Sequence, residues 1–90
     1  MTELYQVFYI YNDGMEIENC IPAPNIEEAI KLAGFIIEML SACKENEEDM
    51  VKEIIFYNWK INAPFCIVTK DNVEWFKDVP IIEARMEEDV

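Results

Sequence analysis

Residues 3–11 are dense in β-branched and aromatic side chains and stop at Asn12-Asp13-Gly14, a turn sequence whose glycine takes positive φ without penalty. The return segment, 15–21, alternates, with Met15, Ile17 and Ile21 on one face and Glu16, Glu18 and Cys20 on the other. A β-hairpin is predicted, one of whose strands is apolar on both sides. In it Leu4, Phe8 and Ile10 supply one face, and Tyr5, Val7, Tyr9 and Tyr11 the other. Two readings stand: a central strand covered on both sides, or a tyrosine-rich surface whose hydroxyls tolerate water until a partner covers it.

The strand is expected to break at Pro22-Ala23-Pro24, and Asn25 then caps a helix over about 25–44, with Glu27 and Glu28 placed at the positive end of its dipole. Ile26, Ile30, Ala33, Ile37 and Leu40 recur at helical spacing, and Ala29, Ile36 and Cys43 broaden them into a face that packs on the sheet. Leu32, Phe35 and Met39 form another apolar line, so the helix needs cover on two sides. The cover comes from a later element of the same chain or from a second subunit. For the first case the pattern offers a helix over about 47–59. Asn46, Glu47, Glu48 and Asp49 read as its start, and Met50, Val51, Ile54, Ile55 and Tyr57 gather on one side of its wheel. The competing reading of 54–59 is a strand, because these residues are rich in β formers.

Residues 65–69 form a short apolar run suited to a buried strand, and 73–76 either return as a hairpin strand or wind as one helical turn. A last strand is expected over 81–86, followed by a frayed acidic tail at 87–90. The expected fold is one α+β domain over 1–86: an antiparallel sheet of four to five strands opened by an N-terminal hairpin, with both helices on one face. No second domain is expected within these ninety residues, and the core is expected to be thin enough that a partner would add stability.

Charge sharpens the functional picture. Nineteen acidic side chains against seven basic ones give a net charge of −12, which opposes direct binding to nucleic acid or an anionic membrane. The start of the chain lacks signal-peptide character, no apolar run spans a membrane, and a cytoplasmic protein is expected. The three cysteines have no Cys-x-x-Cys pairing and the chain has no histidine, so neither a zinc site nor a histidine-based nucleophile is expected. Its two glycines make no phosphate loop. No cofactor and no enzymatic activity are expected.

The first thirty residues carry six acids and no basic side chain. Glu16 and Glu18 stand two apart on one strand face, about 6.6 Å between Cα atoms, close to a nucleic-acid phosphate step. In size, charge and lack of catalytic groups the chain resembles the small acidic inhibitors that phages and mobile elements direct against restriction or CRISPR nucleases. That likeness is one of composition and carries no residue correspondence. It implies an acidic inhibitor or regulator that occupies the basic groove of a nucleic-acid-binding protein. The candidate contacts are Tyr9, Tyr11, Asp13, Glu16, Glu18, Glu47, Glu48 and Asp49. The alternative is a small assembly protein that forms a homodimer through Leu32, Phe35 and Met39, its acidity serving solubility.

Overall fold

The computed structural model describes residues 2–43 and 50–80. Strands β1 (Glu3–Tyr11) and β2 (Glu16–Ala23), helix α1 (Ile26–Cys43) and strands β3 (Val51–Asn58), β4 (Ala63–Thr69) and β5 (Val73–Trp75) follow in chain order. The strands form one antiparallel sheet in the order β2-β1-β3-β4-β5, and α1 packs on one of its faces against β2, β3 and β4.

The opening hairpin forms as the turn sequence requires. Tyr11 N–H donates to Met15 O and Gly14 N–H to Tyr11 O, both at 2.9 Å, and Gly14 adopts φ +93°. This is a three-residue loop closed by a glycine bulge. Asp13 Oδ1 accepts from Met15 N–H at 2.9 Å and fixes the exit of the turn. One expectation fails here: β2 runs through Pro22 to Ala23, which pair with Leu4 and Glu3. Proline is tolerated because β2 is an edge strand and position 22 directs its missing N–H away from β1.

Helix α1 starts where Asn25 Oδ1 accepts Glu28 N–H at 2.9 Å, with Glu27 and Glu28 in the first turn. Ala29, Ala33 and Ile37 are buried, and the two alanines let the helix approach the sheet closely. Ile26, Ile30, Ile36 and Leu40 flank them. Beneath lies an aromatic centre in which the Phe56 ring stands 6.4 Å from Tyr5 and 6.1 Å from Phe65.

The second helix, expected over about 47–59, is not formed in the described part of that stretch. Residues 51–58 are β3, between β1 and β4 in the middle of the sheet. Ile54 and Phe56 turn toward α1 while Ile55 and Tyr57 turn away, so the apparent helical stripe was two sheet faces read together. A strand apolar on both faces gives a near-continuous run, and β-branched and aromatic composition decides between the two patterns. Because that element lies in the sheet, it does not reach the outer side of α1. Leu32, Phe35 and Met39 are 39%, 57% and 46% exposed.

At the far end of β3, Asn62 takes φ +53°, a conformation asparagine tolerates, in the turn to β4. Asn58 is buried, donates from Nδ2 to Pro80 O at 2.8 Å and accepts Lys60 N–H at 3.1 Å on Oδ1. It thereby ties the segment after β5 to the end of the sheet, where Val79 packs on the core. Residues 73–75 are the hairpin strand β5 rather than a helical turn. The strand expected over 81–86 and the tail at 87–90 lie outside the described residues.

Candidate interaction face

The register of the five strands sorts their side chains onto two faces. Toward α1 point Tyr5, Val7 and Tyr9 of β1, Ile17, Asn19 and Ile21 of β2, Ile54 and Phe56 of β3, and Cys66 and Val68 of β4. The opposite face carries no helix among the described residues. Across it runs one continuous row, Glu18–Phe8–Ile55–Ile67–Glu74, and beside it a second, Glu16–Ile10–Glu53–Thr69. In the first row apolar side chains fill the centre and carboxylates stand at both edges; in the second Glu53 stands on the central strand β3.

The centre is partly buried by its own neighbours. Phe8 and Tyr57 meet edge to face at 5.2 Å, and Ile10, Ile55 and Ile67 lie around them, each half-buried. Glu16 and Glu18 on the β2 edge and Glu74 on the β5 edge are exposed. Four spacings of about 4.8 Å separate these edges, so the row spans about 19 Å. No lysine or arginine occupies any paired position of this face. Glu16, Glu18 and Glu74 therefore set negative charge at the two edges of the apolar row, with Glu53 beside it on β3.

One carboxylate is held in place. Gln6 Nε2 donates to Glu18 Oε2 at 2.5 Å, which fixes Glu18 over the edge of the face. The cost falls on Gln6 Oε1, which is shut from solvent and has no hydrogen-bond donor among the described residues.

The residues singled out from the sequence do not all meet here. Glu16 and Glu18 share the open face as their alternation required. Tyr9 and Tyr11 pack against the core beneath α1, and burial, with the neighbouring Tyr11, raises the pKa of the Tyr9 hydroxyl. The tyrosine side of β1 is thus the helix-covered one, and the Phe8 side is the open one. Asp13 sits in the hairpin turn, and Glu47, Glu48 and Asp49 lie outside the described residues. Phe8, Ile55, Tyr57, Ile67, Glu53 and Glu74 were missed as site residues. The alternation of 53–57 read as a strand would have found half of them.

Two further features frame the face. An open depression of about 580 Å³ lies on the other side of the sheet between α1 and the β4–β5 turn, lined by Ile30, Gly34, Phe35 and Val73 among others. Among the described residues no group of three or more cysteines and carboxylates is placed to hold a metal ion, and no helix is long and apolar enough to cross a membrane. No family model matches the chain, and no curated protein or solved structure matches it either.

Proposed function

We propose that the chain is a non-catalytic acidic binding protein that lays the open face of its sheet on a basic surface of a partner protein and thereby inhibits or regulates it. The observation that carries this reading is the row Glu18–Phe8–Ile55–Ile67–Glu74, three apolar side chains between two edge carboxylates with no basic residue at the paired positions; the exposed Lys52 stands unpaired in the bulge beside Glu53. Carboxylates placed at both ends of a half-buried apolar row do more than scattered surface charge needs to do for solubility alone. Aromatic anchors within a charged rim suit a protein partner whose groove presents lysine and arginine. Grooves that hold nucleic-acid phosphates have that chemistry, so the partner of choice is a nucleic-acid-binding enzyme, blocked by competition for its groove.

The test is affinity capture from a nuclease-treated bacterial lysate with the wild-type protein, a Glu16→Lys/Glu18→Lys variant and a Phe8→Ser variant. The expected outcome is a basic protein retained by wild type, displaced by salt or by added duplex DNA, and lost with both variants. Retention unchanged in both would remove the open face from the interaction.

The exposure of Leu32, Phe35 and Met39 favours a second reading, a homodimer formed through the outer side of α1. It is checked by light scattering on a Phe35→Glu/Met39→Glu variant. If this face is the dimer interface, a wild-type dimer becomes a folded monomer; a wild type that is already monomeric ends the reading.

A further inference from the structure

Strand β2 closes one side of the sheet, and no strand among the described residues pairs its outer side. The hairpin register states which backbone groups that edge offers. Tyr11 N–H donates to Met15 O, and bonded and non-bonded pairs alternate along an antiparallel ladder. Tyr9–Ile17, Val7–Asn19 and Tyr5–Ile21 are therefore the bonded pairs, and Glu16, Glu18, Cys20 and Pro22 direct their backbone groups outward. Two of these outward donors are already closed. Pro22 has no N–H, and Cys20 N–H donates to Asn19 Oδ1 at 2.8 Å. The open stretch of the edge is residues 16–18, all of them exposed.

An open edge accepts another strand by backbone pairing, and side chains decide which strand. Here Glu16 and Glu18 flank the edge on the open face, and Ile17, 41% exposed, lies on the α1 side. A second copy of this chain would bring like charge against Glu16 and Glu18, and both copies carry −12. A strand with lysine or arginine at alternate positions meets both carboxylates with opposite charge and sets its apolar residues beside Ile17. We infer that the 16–18 edge of β2 takes an extended basic segment of a partner protein as a sixth strand, in which basic and apolar residues alternate. The inference rests on the proposed binding of a basic partner and gives the contacting segment its conformation and its pattern.

The test uses the full chain and three synthetic nine-residue peptides at low salt: alternating Lys and Val, alternating Glu and Val, and the same Lys and Val content in two blocks. Titration calorimetry reads affinity, and NMR amide exchange reads the Glu16 and Glu18 amides. The alternating Lys–Val peptide is expected to bind, to slow exchange at both amides, and to exceed the other two in affinity by about tenfold or more. Two substitutions separate charge from backbone. Glu18→Gln removes the charge, keeps the N–H, and is expected to weaken binding while leaving the Glu16 amide protected. Glu18→Pro also removes an N–H that β1 does not use, as proline already does at position 22, and is expected to abolish that protection. Should Glu18→Pro unfold the chain, a Lys–Val peptide N-methylated at alternate amides replaces it and is expected to lose binding. Absence of binding by the Lys–Val peptide overturns the inference. So does binding without amide protection, or equal affinity in the Gln and Pro variants. In those last two cases the sheet face still holds a basic ligand and only the added strand is refuted, whereas failure of the face itself shows as partner capture that ignores Phe8→Ser.

Discussion

Gly34 stands midway along the 18-residue helix α1, and replacing it with alanine is expected to stabilise the protein. A glycine in a helix interior costs roughly 0.8–1.0 kcal/mol relative to alanine, through backbone entropy and exposed peptide groups. Such a residue is usually kept because a Cβ would collide with something. Here a Cβ built on Gly34 meets no atom of the described residues within 4 Å, and the residue borders the open depression between α1 and the β4–β5 turn. Gly34→Ala therefore meets no steric cost among the described residues, and the propensity gain remains whole. For a domain of this size about 1 kcal/mol raises the melting temperature by roughly 4–8 °C. Thermal unfolding followed by circular dichroism reads that shift, and urea titration should show a higher midpoint at unchanged slope. A melting temperature that stays level or falls would refute the reasoning, because some group must then pack against the Gly34 Cα.

Three other substitutions or conditions probe the same framework. Asn25→Ala removes the acceptor for Glu28 N–H at the start of α1 and should cost about 1 kcal/mol by urea titration, with Asn25→Asp restoring most of it. Phe56→Ala empties the aromatic centre shared with Tyr5 and Phe65 and should cost about 3–5 kcal/mol, enough to leave a large unfolded fraction at room temperature by near-ultraviolet dichroism. Burial pushes the Cys66 thiol from its usual 9.0 up to about 12. The unfolded chain therefore releases that proton first as pH rises. Stability owed to this group is complete below pH 9 and declines between about 9 and 12. The urea midpoint should fall over that window, less steeply in Cys66→Ala, and iodoacetamide at pH 8 should label exposed Cys20 while sparing Cys66 until urea is added.

The hairpin and α1 were legible because local chemistry specified them. Asn12-Asp13-Gly14 demands a turn, and Asn25 with Glu27 and Glu28 demands a helix start, whatever the rest of the chain does. Residues 51–58 were ambiguous for the opposite reason. Ile54 and Ile55, like Phe56 and Tyr57, are adjacent apolar residues, and only the pairing of β3 with both β1 and β4 puts one of each pair under the helix and one on the open face. Adjacency of that kind is tertiary information. The same gap hid half of the candidate face: Glu16 and Glu18 announced themselves by alternation within one strand, whereas Glu53, Ile67 and Glu74 join them only through the register of three other strands. Tyr9 and Tyr11 attracted attention as aromatic contacts, but β1 has two apolar faces and its sequence does not say which one α1 covers.

Solubility and binding are not rival explanations of the acidity on this face, because the same carboxylates do both. One helix covers one side of the sheet and leaves Phe8, Ile55 and Ile67 half-exposed on the other, a surface that invites association. Rims of one sign keep identical copies apart and leave the floor open to a partner of opposite sign. The geometry also dictates how the rims combine. Glu18 and Glu74 end the same row about 19 Å apart, more than twice the screening length of about 8 Å at physiological salt, with three apolar side chains between them. Reversal of one charge should therefore leave the contribution of the other intact. For a captured basic partner, the losses in binding free energy for Glu18→Lys and Glu74→Lys should add in the double variant to within about 0.5 kcal/mol. A double variant no weaker than the worse single one would mean that the partner touches only one edge, and the face would then be bound at a rim and not across its width.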